Sequence, residues 1–213
     1  MNKKIENAYL TKVVNAVNMF MEQNRCYYAE ALNIAMTTIV DVNRSYCKKN
    51  WYNPVHHIES RVKKNESMVR KLSKKRSPVA SSIIFRRIKD VAGIRIICDC
   101  IDDVYIIAAL LEQSNLMLIR RRDYISRPKV NGYRSLHMVF NVPILVDEKR
   151  MEIPVEIQIR TIAMDIWGRI EHDLRYKSDK EPPEEIYRKL KQCADQLADV
   201  DKLLQELYAS NRK

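Results

Sequence analysis

A chain of 213 residues, 46% hydrophobic and 31% charged, is long enough for one substantial core with appended helices. Its formal charge of +11 points to an anionic partner, whether nucleotide phosphate, RNA or a membrane surface, and does not choose among them. No apolar run approaches the roughly 18 residues of a membrane span, and the N-terminus MNKKIENAYLTKVV lacks the apolar core of a signal peptide, so a cytoplasmic protein without a membrane partner is expected.

The first fifty residues carry two helical runs. Ile5, Tyr9, Val13, Ala16, Val17 and Phe20 share one face, and a second run from about Tyr27 to Tyr46 carries Leu32, Ala35, Ile39 and Val42. Asn53-Pro54 breaks the chain, and ESRVKKNESMVRKLSKKR then reads as a basic helix or helix pair ending before Pro78. IKDVAGIRIICDC is short and β-branched, a buried strand. DDVYIIAALLEQSN follows as a helix with Asp102 as its N-cap. LMLIRRRDYI and YRSLHMVFNVPI are two further strands, Asp147 to Arg150 a hairpin turn, and MEIPVEIQIR a fourth strand that leads into a helix near Thr161. After Pro182-Pro183, Ile186, Leu190, Ala194, Leu197, Val200, Leu204 and Leu207 mark one long amphipathic helix, which packs on its own domain or forms an oligomer contact.

Five cysteines without a framework spacing fit reduced thiols, and Cys98 and Cys100 lack the second ligand pair of a metal site. His56-His57 likewise has no ligand partner at helical spacing, and His172-Asp173 fits a structural place in an amphipathic helix. The three glycines, Gly93, Gly132 and Gly168, exclude a P-loop and a GxGxxG turn. Phosphates would have to be met by cationic side chains, with Arg61, Lys63, Lys71, Arg86, Arg87, Arg120, Arg121, Arg122 and Lys129 as candidates.

Alternation in the last strand puts Ile153, Val155, Ile157 and Ile159 on one face and Glu152, Glu156, Gln158 and Arg160 on the other. The polar face is either solvent-facing or the floor of a cleft. Tyr133, Ser135 and His137 share a face in the strand YRSLHMVF, beside Lys129 and an Asn-Gly turn, which favours a site over simple core packing. Asp90 is either an exposed strand-end residue or a partner of Glu156 in holding a divalent cation, for which Mg²⁺ suits carboxylate oxygens and substrate phosphates.

RVKKNES, IKDVAGIRIIC, RRDYISRPKVNGYRSLH and VEIQIRTIAMDIWGRIEHDLRYK together resemble the synthetase domain of the RelA/SpoT alarmone enzymes, over about Asn53 to Lys177. The length is similar to that of the single-domain small alarmone synthetases. The resemblance implies an α/β (α+β) nucleotidyltransferase-like domain, with a mixed sheet of about five strands flanked by helices. The expected organisation is N-terminal helices over 1–50, the catalytic core over 51–180 and a C-terminal helix over 181–213 that serves as the oligomer contact.

The implied reaction is transfer of pyrophosphate from ATP to the 3′-hydroxyl of GDP or GTP, with Mg²⁺, giving ppGpp or pppGpp and AMP. By resemblance Asp90 and Glu156 are the catalytic and metal-binding carboxylates, Glu156 matching a glutamate assigned either to metal binding or to general-base activation of the 3′-hydroxyl. Arg61, Lys63, Ser67, Lys71, Arg95, Arg122 and His137 fall to ATP, with Arg61 and Arg95 sandwiching adenine. Lys129, Asn131, Tyr133, His137 and Gln158 fall to the acceptor, with Tyr133 stacking on guanine. Arg122 stands where some relatives carry Lys, and Arg127 adds a cation beside the acceptor loop. Both leave the acceptor open: some relatives act on the 3′ end of tRNA, and RNA remains a further partner. An inactive RNA-binding module is the rival from another class. A homotetramer is the assembly the resemblance implies.

Overall fold

The computed structural model describes residues 3–74, 80–176 and 183–211. Five strands, Val55–Val62 (β1), Ala92–Cys98 (β2), Met117–Asp123 (β3), Leu136–Val146 (β4) and Lys149–Thr161 (β5), form one mixed sheet in the order β1-β2-β5-β4-β3. β2 and β5 are parallel and the other neighbours antiparallel.

The period-two apolar residues expected of the central strands make one dry face. Ile94, Ile96, Val155, Ile157, Ile159, Leu136, Met138 and Phe140 are all buried there. Helix α1 (Lys3–Asn50) lies across this face and contacts β1, β2, β4 and β5, with α4 (Ile101–Glu112) beside it on β2 and β5. Val13, Val17, Phe20, Tyr28, Ala31, Ala35 and Ile39 form the buried stripe of α1 and join the sheet in one core. Each large apolar side chain so buried contributes roughly 1.5–3 kcal/mol.

The two N-terminal runs are one helix of 48 residues, about 72 Å long at 1.5 Å per residue. The polar stretch Glu22 to Cys26 contains neither glycine nor proline and keeps the helical phase, so nothing interrupts the backbone. The helix stops at Trp51, whose φ of 54° is left-handed.

The basic segment after Pro54 is not wholly helical. Residues 55–62 form β1, an edge strand that among the described residues pairs only with β2, and the helix α2 is confined to Asn65–Lys74. Two smaller corrections concern ends. Helix α4 is capped at Cys100, without a side-chain cap bond; Asp102 sits inside the helix, where Gln205 of the tail accepts from its backbone N–H at 2.9 Å. Strand β4 begins at Leu136 rather than Tyr133, because residues 133–135 are drawn off the ladder by bonds to 124 and 129. Only Asp147 and Glu148 form the β4–β5 turn, both at positive φ as a two-residue hairpin turn requires.

Helix α3 (Ser81–Arg87) precedes β2, α5 (Ile162–Tyr176) follows β5, and α6 (Glu184–Asn211) packs on α5 and α4. Trp167, Leu190 and Ala194 make a small second core between α5 and α6, and the Trp167 indole donates to the Leu190 carbonyl at 2.7 Å. No helix among the described residues is long and apolar enough to cross a membrane.

Candidate active site

The other face of the sheet is polar, and strand register assembles it from distant residues. One row runs Arg61, Gly93, Glu156, Val139, Arg120, and the next runs Glu59, Arg95, Gln158, His137, Arg122. Between β1, β2 and β5 this face forms a cleft of about 520 Å³, lined among others by Arg61, Lys63, Asp90, Arg95, Glu156 and Gln158. On the polar side of β5, Glu156 and Gln158 therefore line the cleft floor, while Glu152 pairs with exposed Arg150 toward the hairpin and Arg160 is buried.

Asp90 lies just before β2 at one end of the cleft. Lys63 donates to its Oδ2 and Lys71 to its Oδ1, each at 2.7 Å. Lys63 is placed by its own backbone, which donates to the Val91 carbonyl at 2.7 Å, and Lys71 by α2. Burial alone would raise the Asp90 carboxyl, but the two ammonium groups overcome it and hold the value down at about 2. Ser67 also lies on α2 but does not line the cleft.

Glu156 lies at mid-sheet. Its Oε1 faces His137 Nδ1 at 3.4 Å, and its Oε2 accepts from Gln158 Nε2 at 2.8 Å. Burial works to raise this carboxyl; the bond and charge of His137, with Gln158, lower it on balance, while the Asp90 charge opposes them. His137 Nε2 lies 2.7 Å from the Tyr133 hydroxyl, which accepts from Arg160 Nη2 at 2.7 Å. The same Nη2 donates to Gln158 Oε1 at 2.5 Å.

The residues around the Gly132 loop form an aromatic cluster. Tyr124 meets Tyr133 and His137 edge-on at centroid distances of 6.0 and 5.2 Å, and Trp167 meets Tyr133 at 6.3 Å. The Lys129 ammonium sits 4.4 Å from the Tyr133 ring centroid and 4.6 Å from that of Tyr124, a cation–π arrangement. Asn131 Oδ1 accepts from the Tyr133 backbone N–H at 3.2 Å. Gly132 has φ +90°, and a Cβ there would lie 2.5 Å from that of Ala194, so the turn needs glycine for its conformation and for the approach of α6. Arg134 secures the same contact by donating to the Gly132 and Ala194 carbonyls, each at 3.1 Å.

At the far end of the cleft Arg95 Nη1 meets Glu59 at 3.1 Å and Asp165 at 3.3 Å, and Arg169 of α5 bonds both carboxylates. Arg61 is exposed on the neighbouring strand. Arg122 stands across the sheet beside His137, outside the cleft, with Nη1 3.4 Å from the Tyr124 hydroxyl. The side chains of Arg86 and Arg87 lie outside the described residues.

Sequence reasoning assigned no role to Glu59, Tyr124, Arg160, Asp165 or Trp167. Alternation did place Arg160 on the face of Glu156. Nothing in the local pattern marks the other four, because their places depend on where β1, the Gly132 loop and α5 come together.

Residues 60–181 match the family model described as a region found in RelA / SpoT proteins. The chain is 38% identical over 169 residues to the GTP pyrophosphokinase YwaC of Bacillus subtilis (strain 168), covering 79% of this chain and 80% of that protein. Its fold is similar to small alarmone synthetase 1 from Bacillus subtilis bound to its product pppGpp, with a TM-score of 0.81 and 29% identity over 89% of this chain and 98% of the other. The structure of that enzyme bound to AMPCPP is similar with a TM-score of 0.74 and 26% identity, covering 90% and 97%.

Proposed function

The chain belongs to the RelA/SpoT family, and on that premise we propose that it is a (p)ppGpp synthetase, moving pyrophosphate from ATP to the 3′-hydroxyl of GDP or GTP. The observation that carries this reading is the position of Glu156. It borders a cation-lined cleft on one side and, through His137, the Tyr133–Tyr124 cluster on the other. The relative bound to pppGpp and to AMPCPP supports a guanine nucleotide as acceptor and an adenine nucleotide as donor.

In this reading the adenine of ATP lies by Arg61 and Arg95, and its phosphates run toward Lys63 and Lys71. The guanine stacks on Tyr133, and its 3′-hydroxyl points at Glu156. The 3′-oxygen bonds to the β-phosphorus while the bond from that phosphorus to the α,β-bridging oxygen breaks. The hydroxyl proton passes to Glu156 and AMP leaves. Such a transfer is mostly positioning and charge stabilisation. Proton removal contributes on the order of 10²–10⁴-fold.

Asp90 and Glu156 are suited to hold Mg²⁺. They are hard oxygen donors lining one cleft, and Mg²⁺ binds through one or two carboxylates with waters and substrate phosphates. Among the described residues no group of three or more His, Cys, Asp or Glu forms a cage, and a nucleotide-borne ion needs none. When bound, the ion offsets phosphate charge.

The reading also places the protein in the cytoplasm, as a homotetramer. Exposed Ile162, Ile166, Ile170 and Leu174 at four-residue spacing on α5, with Leu203 and Leu207 on α6, support an assembly through these helices. The deciding experiment offers γ-labelled ATP with GMP, GDP, GTP or tRNA in parallel. Label is expected on GDP or GTP, with AMP released in equal amount. Label on tRNA alone, or AMP without any labelled acceptor, overturns the proposal.

A further inference from the structure

Arg160 is 5% exposed, and an arginine so buried requires a counter-ion. Asp165 supplies one, but at 3.4 Å and shared with Arg95 and Arg169. The two shortest bonds of Arg160 go elsewhere, to neutral groups: Tyr133 at 2.7 Å and Gln158 at 2.5 Å, both from Nη2. Gly168 leaves room for this geometry, since a Cβ there would lie 2.9 Å from Arg160 Nη1.

A guanidinium only donates hydrogen bonds, so both Tyr133 and Gln158 accept from it. The Arg160 N–H repels the Tyr133 hydroxyl proton and favours its donation to His137 Nε2, 2.7 Å away. With that donation the nitrogen carries no hydrogen, and the ring N–H is on Nδ1, facing Glu156 Oε1. On the other side Gln158 accepts through Oε1, so its amide nitrogen is the group that donates to Glu156 Oε2. Two arms leave one nitrogen of Arg160 and converge on the two oxygens of one carboxylate.

We propose that Arg160 is a positioning residue: it sets the His137 tautomer and the Gln158 amide orientation, and so aims Glu156 at the acceptor while tying it to Tyr133. This rests on the reading of Glu156 as the group that receives the acceptor proton. It adds that the side chain holding the acceptor base and the carboxylate serving its ribose are set by one buried cation.

The test uses the full chain labelled with ¹⁵N-histidine, free of nucleotide and above neutral pH. His137 is told from the other three histidines by a His137→Gln spectrum. The wild type is expected to show N–H on Nδ1 alone. In Arg160→Met and in Tyr133→Phe the two tautomers should mix. For Arg160→Met, kcat should fall by about 10- to 100-fold with the ATP KM within about twofold, and Arg160→Lys should recover part of the loss. N–H on Nε2 in the wild type overturns the proposal, as does an Arg160→Met enzyme with an unchanged tautomer and kcat within about threefold of wild type. Should Arg160→Met fail to fold, Tyr133→Phe breaks the same arm without touching the buried charge, and an unchanged tautomer there is equally fatal. A chain that transfers pyrophosphate to no acceptor defeats the functional reading, while the His137 tautomer and its response to Tyr133→Phe still decide the circuit.

Discussion

On the β1–β2 side of Glu156 the polar sheet face is an open cleft edged by cations, with Lys63 and Lys71 held on Asp90 and Arg95 held on Glu59 and Asp165. On the β4 side the same face is filled by its own side chains: Lys129 covers the rings of Tyr124 and Tyr133, which close on His137 and Trp167. The first region is ordered by ion pairs across strands and stays open as a cleft. The second is ordered by aromatic packing, and a base stacking on the Tyr133 face under Lys129 must first displace that ammonium. Donor binding should therefore respond to charge, and acceptor binding to what covers the ring.

Glu156→Gln should have the largest effect, because it removes the carboxylate where the two regions meet and keeps its shape. We expect kcat to fall on the order of 10²–10⁴-fold, with both nucleotides still bound in calorimetry; a variant retaining a substantial fraction of wild-type turnover would separate the regions from a common Glu156.

Asp90→Asn acts on the donor side and has a pH signature. The native carboxyl, at about 2 against an ordinary 3.8, is held in its ionised form more strongly than in the unfolded chain. Its contribution to stability is then complete above about pH 4 and fades as pH falls toward the native value. Denaturant unfolding should show a wild-type advantage over Asp90→Asn that is constant near neutrality and shrinks in acid; an advantage that grows in acid would contradict the ion-pair account.

Lys129→Met probes the filled side. With no ammonium left for the base to displace, and an exposed cation–π contact being about 1 kcal/mol, the acceptor KM should fall roughly fivefold. The ATP KM should not move, and steady-state kinetics in both substrates shows whether it does. The smallest change is expected of Arg169→Ala. Arg169 is half exposed and only steadies Glu59 and Asp165, so the ATP KM should rise about twofold with kcat unaltered. A larger effect on the acceptor than on ATP would move Arg169 to the other region.

Much of this face was legible in advance because β5 is central. A strand with its core on one side and a cleft on the other alternates cleanly, and Glu156 and Gln158 stand out from Ile153 to Ile159. β1 was not legible. VHHIESRV is an edge strand with one neighbour and mostly polar side chains, so its pattern matches a basic helix as well as a strand. The continuity of α1 was hidden by the polar stretch from Glu22 to Cys26, where burial pauses but the backbone does not. The Gly132 turn could be read locally, yet half the reason for its glycine is Ala194, which no local pattern reveals. Arg160 could be put on the right face, but its burial depends on how α5 folds back over β5.

The contact of Gly132 with Ala194, clamped by Arg134, has a consequence for how such a chain can change over generations. Neither position tolerates growth: a methyl group at 132 already collides, and bulk added at 194 meets the loop from the other side. A substitution in the tail is thus a substitution in the Gly132 loop, although Arg134 and Ala194 are 60 residues apart. Drift at either place should persist only when matched at the other, so the two segments are inherited as one unit, and a tail exchanged between relatives should carry its loop with it.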